Sequence, residues 1–107
     1  MASLAIDLIE RRRDHRTAGG GPRWQARAVL RPGQPVTLLN ISSRAALVES
    51  AARLRPGAHT SVQLAGSQAR ASIGARLDRC YVAALEPIRY RGVLVFDERV
   101  DIGDTTP

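Results

Sequence analysis

At 107 residues, the chain has the length of one ordinary domain, so a single hydrophobic core and one principal binding surface are expected. An apolar content of 44% excludes a disordered chain, an aromatic content of 4% leaves Val, Leu, Ile and Ala to build the core, and no apolar run approaches the ~20 residues of a membrane span. The net charge of +6 arises from 16 arginines against 10 acids, with no lysine, a bias that either reflects GC-rich coding or supplies planar guanidinium groups for bidentate phosphate recognition. Only clustering of the arginines separates the two.

Residues 1–10 carry Leu4, Ile6, Leu8 and Ile9 behind a possible N-cap at Ser3, and suit a short helix or an extended arm. With no long apolar stretch and no small-residue cleavage site, they are expected to be neither signal nor anchor. Glu10, Arg11, Arg12, Arg13, Asp14, His15 and Arg16 follow, then Thr17, Ala18, three glycines and Pro22, which predict a flexible joint. From Trp24 the apolar pattern takes period two, with Trp24, Ala26, Ala28 and Leu30 on one face of a predicted strand. Arg31-Pro32-Gly33-Gln34 is a turn, residues 35–41 a second strand, 42–44 a tight connection and 45–49 a third strand. A further Arg-Pro-Gly turn, at residues 55–57, leads to a strand over 60–64; a long strand over 69–85, bent near Gly74, is broken by Pro87, and the last strand runs over 88–96. Six strands joined by short turns, with no long amphipathic helix between them, predict an all-β, six-stranded antiparallel barrel. The expected divisions are 1–23 for the arginine-bearing segment and glycine hinge, 24–100 for the barrel, and 101–107 for a disordered tail.

Enzyme chemistry is hard to assemble from these residues, and the protein is expected not to be an enzyme. His15 and His59 lie at no metal-ligand spacing from each other or from Cys80. His15 stands among arginines, which oppose its protonation, and no partner that would position either ring as a base can be named. Cys80, the sole cysteine, fits a small core side chain in a reducing cytoplasm. Residues 19–21 are no phosphate loop, because neither Lys-Ser nor Lys-Thr follows them. No metal or cofactor is expected.

Two features rise above this background. The first is the arginine tract, which by itself is as easily a solvated basic tail. The second is Asn40-Ile41-Ser42-Ser43-Arg44-Ala45, which places two short hydrogen-bonding side chains two residues apart at a strand end; without the tract it would be an Asx or Ser turn closing a hairpin. Together they resemble the PilZ domain family, bacterial receptors for cyclic dimeric GMP, which pair an RxxxR motif ahead of the first barrel strand with a [D/N]xSxxG motif in the barrel. Arg12-Arg13-Asp14-His15-Arg16 matches the first, with Arg11 doubling its opening arginine, and Asn40-Ile41-Ser42 opens the second; the likeness spans residues 10–96. Ala45 stands where the family pattern has glycine.

The resemblance implies a PilZ-like barrel that binds cyclic di-GMP and signals through its N-terminal arm to a downstream protein partner. Arg12 and Arg16 would hold phosphates and guanine edges, Arg13 would stack on a base, and Asn40 and Ser42 would fix base or phosphate at the barrel surface. If the glycine serves a positive φ, Ala45 costs roughly 1 to 2 kcal/mol; if it admits the ligand to the backbone, the methyl is an obstacle. The alternative is a degenerate PilZ-like module that has lost the ligand and acts through protein contacts. Nonspecific nucleic-acid binding is disfavoured, because Trp24, Tyr81, Tyr90 and Phe96 are scattered and form no stacking platform.

Overall fold

The computed structural model describes residues 17–67 and 69–103. The expected N-terminal helix or arm, and with it Arg12, Arg13 and Arg16, lies outside the described residues, as do residues 104–107. The described chain is all strand: β1 (Thr17–Ala18), β2 (Trp24–Leu30), β3 (Gln34–Ile41), β4 (Ala45–Ser50), β5 (His59–Gly66), β6 (Arg70–Leu85) and β7 (Ile88–Phe96). Every pairing is antiparallel, in the order β3-β2-β5-β6-β7-β4, and β3 pairs with β4 to close a six-stranded barrel. Closure leaves no long exposed sheet edge around the barrel, which is how an antiparallel sheet avoids templating aggregation.

Alternation along the strands fills the interior. Val36, Leu38 and Ile41 of β3, Ala46 and Val48 of β4, Val62 and Leu64 of β5, Ile73, Ala75 and Leu77 of β6, and Leu94 and Phe96 of β7 are all buried in one cluster. Most are branched aliphatics, which suit a pleated, half-buried surface. The expected inner face of β2 is only partly realised: Trp24, Ala28 and Leu30 are buried, but Ala26 is exposed. Its register against β5 shifts between Trp24 and Ala28, and a bulge of this kind turns the intervening side chains to the other face. The long strand β6 does not break its pairing at Gly74, which stays in register opposite Ser61. A Cβ at Gly74 would meet the Asp97 carboxylate, the movable end of an exposed side chain. The irregularities of β6 fall later, between Leu77 and Arg79 and between Val82 and Ala84.

Two segments differ from expectation at the barrel end where β3 turns into β4. The glycine stretch, predicted as a flexible joint, is a hydrogen-bonded turn: the Gly19 amide donates to Leu39 O at 2.9 Å, Gly21 to Ala18 O at 3.0 Å and Trp24 to Gly20 O at 3.3 Å. Gly21 has φ +68°, in the left-handed region that suits glycine. The polar end, expected to fray from Asp101, is packed as far as Gly103. Val100 and Ile102 are buried in the main core, and Trp24 Nε1 donates to Asp101 O at 2.7 Å. The chain after β7 thus crosses the barrel end and plugs it, because two spaced apolar side chains and one indole donor all find partners there.

Candidate ligand-binding site

The barrel end gathers residues from three parts of the chain. β1 pairs with the end of β3, Thr17 opposite Ile41 and Ala18 opposite Asn40. At the same two positions β4 occupies the opposite edge of β3, with Leu47 and Ala46 as partners, so β1 and β2 share one edge and run along it in the same direction. The described chain therefore begins one residue in register from Ser42, and Arg16 is the residue bonded to Thr17. The arginine tract is attached at the Asn40–Ser42 strand end, and its attachment point is β1 rather than the glycines.

Of the predicted barrel residues, Asn40 is half-buried on β3 beside Leu47. Ser42 is fully buried. Its hydroxyl accepts from the Arg44 amide at 3.2 Å and the Ala45 amide at 3.1 Å, and donates to Ala45 O at 3.3 Å. A serine hydroxyl offers one donor and two acceptor positions, so in this conformation all are used within the turn. Ser42 shapes the β3–β4 connection that carries Ser43 and Arg44, and would act on a ligand through that shape.

Ala45 opens β4 opposite Val95 and is also buried, packing with Val93, Leu47 and Val95 on the side of the sheet away from the main core. No described residue other than glycine has positive φ. Of the two reasons a glycine could be wanted here, a left-handed backbone is therefore absent, and only close approach to the backbone remains.

The structure places further cations beside the predicted site residues. Arg44 is exposed on the turn, and Arg99, also exposed, donates from Nη1 to Ser43 Oγ at 3.2 Å. Backbone bonds lock this arrangement: Phe96 N to Arg44 O and Val100 N to Ser43 O, both 2.8 Å. Arg23 lies with Cζ 5.1 Å from the centre of the Trp24 ring, and its Nη1 is 3.7 Å from Asp101 Oδ2. Arg44 stood within the motif and was visible in the sequence; Arg99 comes from 56 positions away and had no local signal. Exposed guanidinium groups gathered at one end of the barrel favour an anion.

The residues weighed for catalysis do not converge here. His59 Nε2 lies 2.7 Å from Asp97 Oδ2 in an exposed pair, and Cys80 is half-buried and free on β6. Among the described residues no group of three His, Cys, Asp or Glu side chains could hold a metal ion, and no helix is long and apolar enough to cross a membrane. No family model, curated protein or solved structure matches this chain.

Proposed function

We propose that this chain is a receptor for cyclic dimeric GMP, with its site formed by the arginine tract and the β3–β4 end of the barrel. The observation that supports it most is the pairing of Thr17 with Ile41, which attaches the RxxxR segment beside the Asn40-Ile41-Ser42 motif it resembles a partner of. The ligand carries two phosphates and two guanines. Arg12 and Arg16 take phosphates and guanine edges, Arg13 stacks on a base, Asn40 meets a base edge with its amide, and Ser42 holds the turn. Binding offsets the mutual repulsion of Arg11, Arg12, Arg13 and Arg16, draws that segment toward the barrel and changes the surface offered to a downstream protein. The receptor would work in the reducing cytoplasm, which suits the free Cys80.

Calorimetric titration with cyclic dimeric GMP tests this. Arg12→Ala and Arg16→Ala should each weaken binding about tenfold or more, since each removes a charge-assisted bond of roughly 1.5 to 3 kcal/mol; unchanged affinity in both would overturn the proposal. A second reading, a PilZ-like module that acts through protein contacts alone, is favoured by the buried Ala45 methyl and the committed Ser42 hydroxyl. Absence of saturable heat at high micromolar ligand supports it.

A further inference from the structure

A second arginine-lined surface shares no residue with the site above. Across β3, β2, β5 and β6 the register sets Thr37 beside Arg27 and, one row along, Pro35, Val29, Gln63 and Ser72 in succession. Ala65, with Arg70 as its partner on β6, continues the Arg27 side of the sheet past the β2 bulge. These residues, with Gln25, and Arg89 from β7, line an open groove of about 870 Å³, within the usual range of small-molecule sites, ~300–1,000 Å³.

The charges of this groove do not balance. Arg27 and Arg70 have no ion-pair partner among the described residues. The carboxylate that lines the groove, Glu49, is already engaged by Arg91 Nε at 3.2 Å. Uncompensated guanidinium groups in a concavity concentrate a field that attracts anions. The amides of Gln25 and Gln63 and the hydroxyls of Thr37 and Ser72 supply neutral hydrogen-bonding groups beside them. No aromatic ring lines the groove, so it lacks the stacking platform that a single-stranded nucleic acid uses. We infer that this groove is a second anion site, taking a small molecule with at least two phosphate charges, bound bidentately by Arg27 and Arg70.

Amide-resolved NMR titration of the full chain tests it, with inorganic pyrophosphate and guanosine 5′-diphosphate as separate probes. Saturable shifts at Thr37, Gln63 and Ser72 are expected with at least one; tighter binding of the nucleotide would show that the base is also read, and equal binding that the diphosphate alone is. The double variant Arg27→Gln/Arg70→Gln, altered only at exposed positions, should keep the dispersed spectrum and bind about tenfold more weakly or worse. Arg12→Ala/Arg16→Ala should leave the shifts unchanged, which separates this site from the arm. Lack of saturation with both probes at millimolar concentration, equal binding by the double glutamine variant, or tighter capture of a single-stranded oligonucleotide would overturn the inference.

Discussion

At Ser42 a hydroxyl with no exposure makes three bonds to the backbone of its own turn. Ser42→Ala leaves the Arg44 and Ala45 amides short of an acceptor in a buried place, and should cost about 1 to 3 kcal/mol in urea unfolding; an unchanged midpoint would mean that water replaces the hydroxyl. Ala45 poses the reverse case. Its backbone needs no glycine, so Ala45→Gly should lose about 0.5 to 1 kcal/mol of stability through backbone entropy. If the methyl is what obstructs the ligand, the same variant should bind cyclic dimeric GMP about tenfold more tightly, the equivalent of ~1.4 kcal/mol. Calorimetry on the folded variant reads the second effect independently of the first.

Among the elements, the six barrel strands were legible because period-two alternation over most of their length agrees with the Arg-Pro-Gly turns between them. What was not legible involves partners distant in the chain. Two residues, Thr17 and Ala18, are too short to show a period, and they become a strand only because Asn40 and Ile41 offer a free edge. Ala26 follows the alternation in sequence and is turned outward by a bulge whose cause lies in the register with β5. Ile102 is a single apolar side chain in a polar stretch, and its burial depends on Trp24, whose indole bonds Asp101 from 77 positions away. Ile102→Ala should therefore cost about 2 to 5 kcal/mol, as at a core position. A change within about 0.5 kcal/mol, as at an exposed tail, would contradict the plugged barrel end. The candidate site divides in the same way: Asn40, Ser42 and Ala45 were found by motif, whereas the hydroxyl's commitment to the turn and the approach of Arg99 required the fold.

For the molecule as a whole, the closed barrel supplies a rigid platform, and the chain's excess of arginine is distributed over it unevenly. Part of that excess lies on the Arg27–Arg70 groove face, and part lies at the end where Arg44 and Arg99 meet the attachment point of the tract containing Arg12, Arg13 and Arg16. Charge by itself would attract any polyanion. The two-part arrangement makes a narrower claim, that one ligand engages the tract and the strand end together. Amide-resolved NMR titration of the full chain with cyclic dimeric GMP measures this most directly. If one ligand engages both parts, the amides of Thr17, Ala18 and Asn40 shift with a single saturation curve shared with the Arg12 and Arg16 amides. Shifts confined to the tract, with Thr17 and Asn40 unmoved at saturation, or no saturable shift at all, would contradict it.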